Sequence, residues 1–338
     1  MRTLPRQNNT IFVLELFRNN NFVFTLLLIP YAILLRFLAI YFGIGESIAV
    51  EGTWARWIFG EEISQNLVFQ IVGVTLVFLH AAMVNRLVIR NRMTHEMTLF
   101  PGVFYILVAS FFPGYVCLSP ILIANTLLLI GLAELFVSHK KLKTAEHIFS
   151  VGFWFSSAAI AYHGYLLLIL FPILGLSMLR TVKWVNWAQF VIGLVTPVII
   201  TMMVSVLLNE SPFILFREWA EKSGSFEFYL SNKWIDLAQL GFFGIWILAS
   251  LLQYNAFTIK KNIHAQKKID LCFWFMAFSL VCISFISDIR STDWLMLAIP
   301  LSILIAMSFL RFRSRISSEL IHFIMVITLL AIQILIFF

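Results

Sequence analysis

The chain has 338 residues and a net charge of +7, with 61% of its residues hydrophobic and only 12% charged. A soluble domain carries roughly 25% charged residues, so a mean hydropathy of +0.92 spread along the whole chain excludes a soluble globular fold. The positive charge does not point to nucleic acid, for which no motif is present: basic loops collect on the cytoplasmic side of membrane proteins.

Taken in order, residues 8–20 (NNTIFVLELFRNN) read as a short interfacial helix, with Phe12, Leu16 and Phe17 on one side and Arg18 closing it. The apolar run that follows is too long for a signal-peptide core and lacks a small-residue cleavage site. Apolar segments that can serve as spans recur at 22–43, 65–86, 97–112, 119–137, 148–162, 165–179, 187–207, 237–257, 271–287, 294–310 and 318–338. The fifth and sixth are each short, but together they would form a helix of roughly 48 Å, too long for one crossing. Basic-residue parity separates them. With two crossings, nine of the basic residues that follow face the cytoplasm and four face outside; with one crossing the ratio inverts.

The expected architecture is therefore all-α and polytopic. About eleven transmembrane helices form a single domain over 1–338, with the N-terminus cytoplasmic and the C-terminus outside. Over the whole chain this places eighteen Lys and Arg inside and five outside, with Arg36 within the first span. The main outer loops are 44–64 and 208–236, the second containing an amphipathic stretch, PFILFREWAEK, expected to lie along the membrane surface. Eleven acidic residues fall outside. Acids do little to set topology, so their gathering hints at function on that face, although solvated loops also collect acids.

No phosphate-binding loop, nucleophile elbow, zinc-protease motif or dinucleotide fingerprint is present. Cys117, Cys272 and Cys282 are an odd number without metal spacing, and read as membrane packing. The seven histidines are spread across the expected bilayer, whereas a metal needs ligands converging within about 2–2.2 Å of one point. No metal and no cofactor are expected.

The candidate site lies on the outer side. Glu46 and Glu51 follow the first span in a loop that also holds Arg56. A carboxylate at a bilayer surface can act as a general base on a hydroxyl, and a nearby arginine can neutralise a phosphate; a solvated acidic loop is the other reading. Asp288, Arg290 and Asp293 share a short loop (SDIRSTDW) that could hold a sugar or phosphate, or close as a salt-bridged turn. His163 stands in a tight outer turn (AYHGY), either as a binding residue or as a satisfied turn histidine. Arg36 is the costliest residue in the sequence, an intramembrane arginine that faces either helix carbonyls or a lipid-linked phosphate.

The segments FVLELFRNNNFVF, AYHGYLLLILFPILGLSMLRTVKWVNWAQFVIGLVTPVII and STDWLMLAIPLSILIAMSF resemble those of an uncharacterised family of polytopic inner-membrane proteins of Bacteroidota. The order of loops and spans is also similar to the C-type glycosyltransferases, which use polyprenyl-phosphate sugars, although the paired acidic motif directly after the first span and a large periplasmic domain are missing. That resemblance implies the bacterial inner membrane as location. It implies Glu46 or Glu51 as the catalytic acid–base residue, and a lipid-linked sugar as partner alongside membrane lipid. The expected function is transfer of a sugar from a polyprenyl-phosphate donor at the outer face. The competing expectation is a non-catalytic membrane subunit of an envelope assembly or secretion machine, with other envelope proteins as partners; a transporter ranks below both.

Overall fold

A computed structural model describes residues 13–42, 47–64, 66–111, 118–138, 144–179, 183–222, 227–228, 233–259, 261–286, 288–289 and 291–337. Glu46 and Arg290 lie outside the described residues, and of Asp288 only the backbone is described. Each apolar segment expected to span contains helix among its described residues. In chain order these helices are α1 (Val13–Arg18), α2 (Phe22–Leu26), α3 (Leu28–Phe42), α4 (Thr53–Phe59), α5 (Leu67–Arg90), α6 (Phe100–Ser110), α7 (Pro120–Val137) and α8 (Thr144–Ala161). There follow α9 (Phe171–Leu179), α10 (Trp184–Leu207), α11 (Ile214–Lys222), α12 (Lys233–Leu252), α13 (Tyr254–Thr258), α14 (Ile263–Ser284), α15 (Ala298–Phe309) and α16 (Arg315–Phe337). Two short strand ladders join separate parts of the chain. The first joins β1 (Ser47–Ala49) and β2 (Glu62–Ser64), antiparallel; the second joins β3 (Glu227–Phe228) and β4 (Asp288–Ile289), parallel.

Five of the helical segments are long and apolar enough to cross a bilayer: Phe22–Phe42, Leu67–Arg90, Pro120–Val137, Trp184–Leu207 and Arg315–Ile336. Phe100–Ser110, His163–Leu179, Leu237–Leu252 and Asp293–Phe309 are shorter apolar segments. The packing is that of a membrane protein. Every residue of α6 and α15 is buried, and these two short helices pack on each other in the interior. α10 and α16, by contrast, expose Ile192, Met203, Leu207, Leu320, Phe323 and Ile327. A contiguous exposed apolar face of that size marks contact with lipid. α8 packs most extensively on α10 and α7. Glycines permit that approach: a Cβ on Gly152 would stand 2.4 Å from the Phe190 carbonyl oxygen, and one on Gly193 would stand 2.2 Å from that of Phe149. Small residues at such crossings let backbones meet in the absence of a hydrophobic drive between helices.

Contacts sort the connections into two groups, at opposite poles. At the basic pole, Arg18 forms two hydrogen bonds with Glu96 at 2.9 and 3.0 Å, Arg315 pairs with Glu15, and Lys268 donates to Asn91 at 2.6 Å. At the acidic pole, β1, α4 and β2 meet α11 and the turn after α8. Of the segment 8–20, residues 8–12 lie outside the described residues; Val13–Arg18 is α1, anchored where Glu319 of α16 accepts hydrogen bonds from the backbone N–H groups of Val13 and Leu14.

The C-terminus of α6 ends inside the protein, where its last carbonyls cannot reach water. Three side chains from other helices cap them. Arg36 donates to the Ala109 carbonyl at 3.0 Å and to the Ser110 hydroxyl at 3.1 Å. Gln333 donates to the carbonyls of Ser110 and Leu35, and Gln239 to that of Phe111. A cation at the negative end of a helix is favourable on two counts, the dipole and the orphan carbonyls. The arginine is fully buried and faces protein, as intramembrane arginines do.

Candidate functional site

The first loop forms a compact cap at the acidic pole. β1 and β2 pair with Ser47 opposite Ser64 and Ile48 opposite Ile63, and α4 bridges them. Val50, Ala55 and Ile63 bury a small apolar cluster beneath α4, against Phe59 and Phe69. Gly52 makes the entry into α4 possible. Its φ is +107°, and a Cβ there would lie 2.1 Å from the Ala161 carbonyl oxygen at the end of α8. Only glycine meets both conditions.

α4 then docks on the second loop through polar groups. Thr53 donates to Glu218 at 2.7 Å, and Arg56 forms an ion pair with the same carboxylate. The Trp54 indole donates to Thr201 at 2.8 Å, and the Trp57 indole to Glu210 at 2.9 Å. α11, expected to lie on the membrane surface, turns Glu218 to the first loop, while its Glu221 stays exposed beside Arg217. Glu210 and Glu218 are engaged carboxylates within the protein, not a solvated pair.

Two of the expected site residues meet beside Gly52. The Glu51 carboxylate is 3.7 Å from Nδ1 of His163, with their side chains 15% and 6% exposed. This distance is beyond a hydrogen bond and within ion-pair range when the ring is protonated. His163 follows Tyr162, whose ring centroid lies 5.2 Å from the imidazole. The Tyr162 hydroxyl donates to Asp293, a carboxylate buried at 2% exposure. Tyr165, one turn on, donates to Asn125 in the interior. The aromatic turn AYHGY thus joins the first loop on one side and the late SDIRSTDW loop on the other.

The structure gathers Glu51, Arg56, His163 and Asp293 around the cap, with the Asp288 backbone paired to Glu227 nearby in sequence. It places Arg36 elsewhere, on the end of α6. Gly52, Thr53, Tyr162 and Glu218 belong to the same assembly and are not apparent from the sequence. Chemically, the cap offers a carboxylate, an imidazole and a phenol–carboxylate pair, groups able to take up and return a proton. Among the described residues, no group of three or more His, Cys, Asp and Glu side chains could hold a metal ion.

A family model described as "Family of unknown function (DUF6427)" matches residues 52–337. The match includes Arg56, His163, Asp288, Arg290 and Asp293, and begins one residue after Glu51. No curated protein and no solved structure matches the chain.

Proposed function

The chain belongs to the DUF6427 family, and we propose that it is a multi-pass protein of the bacterial inner membrane that transfers a sugar from a polyprenyl-phosphate donor at its outer face. In this reading the eleven apolar segments all cross, the N-terminus is cytoplasmic, and the acidic pole faces outside. The observation that carries the reading is the meeting of Glu51 with His163 in a cap built from three distant segments of the chain. Glu51 accepts the proton of an acceptor hydroxyl as that oxygen bonds the anomeric carbon. The bond from that carbon to the phosphate oxygen breaks, and the polyprenyl phosphate leaves with the electron pair. His163 holds the carboxylate in place, Asp288 meets the sugar, and Arg290 meets the phosphate; Glu46 is the alternative base, with Arg56 as a further cation.

The test is a strain lacking the gene, complemented with variants and scored for outer-envelope glycan. Glu51→Gln is expected to insert and accumulate normally and to lower transfer by about 10²–10⁴-fold, the range for loss of a general base. Full complementation by both Glu51→Gln and Glu46→Gln sinks the enzyme reading.

A second reading, a non-catalytic subunit of an envelope assembly or secretion machine, is favoured by a different observation. Arg56 and Arg36, the cations expected to meet phosphate, already have partners inside the protein. Under it, the Glu51→Gln protein retains function and co-purifies with a partner at fixed stoichiometry.

A further inference from the structure

The basic pole holds a pocket that the outer-face chemistry does not use. It encloses about 60 Å³ between the turn after α5, the end of α13 and the end of α15. A water needs about 10–15 Å³ of such space, so the half-open pocket admits a small polyatomic group. Its apolar wall is Phe257, Met307 and Leu310, and its charged wall is Lys261 and Arg311.

The charges in and around the pocket favour an anion. Arg311 uses one nitrogen, Nη1, to donate to the Ala256 carbonyl. Among the described residues no carboxylate pairs with Arg311 or Lys261. Glu96, the acid in the lining, is held by two hydrogen bonds from Arg18. Burial holds the Lys261 ammonium below the ordinary lysine value, and a bound anion would offset that penalty. Basic recesses between helix ends, walled on one side by apolar groups, match a phosphate at the level of the lipid headgroups with its acyl chains beside it.

We propose that this pocket binds a phosphate group through Lys261 and Arg311, as the headgroup of an anionic phospholipid or as the free ion. The proposal is independent of any activity at the acidic pole. Native mass spectrometry of the full-length protein, exchanged into mixtures of phosphatidylglycerol and phosphatidylcholine with matched acyl chains, tests it. Wild type is expected to retain phosphatidylglycerol in preference, or else to bind inorganic phosphate, read as a rise in its melting temperature. Lys261→Gln is expected to weaken retention about fivefold, and Lys261→Gln with Arg311→Gln about thirtyfold, from the usual contribution of one cation near an anionic headgroup. Displacement of the lipid by millimolar inorganic phosphate identifies the free ion as the ligand; resistance to it identifies the lipid. Lys261→Gln should fold, because Lys261 contributes only its backbone carbonyl to the neighbouring hydrogen bond from Gln266, so the single variant decides the matter if the double variant does not fold. Equal retention of the two lipids with no phosphate-induced stabilisation, or retention unchanged in Lys261→Gln, overturns the proposal.

Discussion

Arg36 shows how a residue can be conspicuous in a sequence while its partner stays hidden. Its cost within an apolar run marks it as engaged with something. The carbonyls it caps belong to a helix ending about seventy residues later, as the Ser110 contact shows. Pro113 and Gly114, shortly after Ser110, are the usual stop signals that a helix end can carry. Hydropathy, which runs on past them, obscures that end. Replacing Arg36 with Met is expected to leave those acceptors without their charged donor, a loss of about 1.5–3 kcal/mol for each hydrogen bond. The check is the melting temperature and yield of the purified variant; a normal yield with normal melting would free Arg36 for a role with substrate. Gly52→Ala is expected to disrupt the cap, because its φ of +107° and the Ala161 carbonyl both exclude a Cβ. Strain of this kind costs about 1–3 kcal/mol. Limited proteolysis of the 51–62 segment should be faster in the variant, and unchanged proteolysis would count against the close approach.

A titrating pair at the basic pole gives a prediction with a defined sign. The hydrogen bond from Arg18 holds the Glu96 carboxyl below its usual value, and the same bond raises Arg18. A depressed carboxylate stabilises the folded state above its unfolded value, about 4.3, and that contribution is lost as pH falls through the folded value. Both side chains are substantially exposed, at 35% and 50%, so the effect is small and sensitive to salt. Melting curves of wild type and Glu96→Gln are expected to differ near pH 7 and to converge under acid. A difference that grows on acidification would contradict the assignment.

At the level of elements, helix period was legible and helix partner was not. PFILFREWAEK carries apolar and polar residues on opposite sides of a 3.6-residue turn, and α11 forms there. Amphipathicity alone suggested the membrane surface; it did not show that Glu218 would meet Thr53 and Arg56. A lone sequence contains nothing that pairs position 218 with position 56. The same limit applies to α8 and the turn that follows it. Charge parity divided that region into two expected crossings; the helix α8 ends at Ala161, before Tyr162. That the break would hold His163 beside Glu51 came only from the packing. A double-mutant cycle with Arg56→Ala and Glu218→Ala is expected to give a coupling energy of about 0.5–3 kcal/mol, the range for residues in one ion-pair network. A value near zero would mean that the ion pair adds nothing and that α4 meets α11 through the Thr53–Glu218 hydrogen bond.

For the whole molecule, composition was sufficient for the class and insufficient for the chemistry. A chain with 12% charged residues and recurring apolar segments has few alternatives to a helical membrane fold. Residues expected on opposite sides of the bilayer do gather at opposite poles, Arg18, Glu96 and Arg315 at one and Glu51, Glu218 and Asp293 at the other. Basic residues predict that the acidic pole faces outside, and chemistry at the outer leaflet requires that orientation. Sidedness is therefore the quantity to measure, by labelling single cysteines in intact spheroplasts with an impermeant thiol reagent after replacing Cys117, Cys272 and Cys282. Glu61 and Glu221 are exposed at the acidic pole, and His264 is exposed at the basic pole. Glu61→Cys and Glu221→Cys are predicted to react while His264→Cys reacts only after lysis; labelling at 264 with protection at 61 and 221 would contradict the orientation and, with it, an outer site at Glu51 and His163.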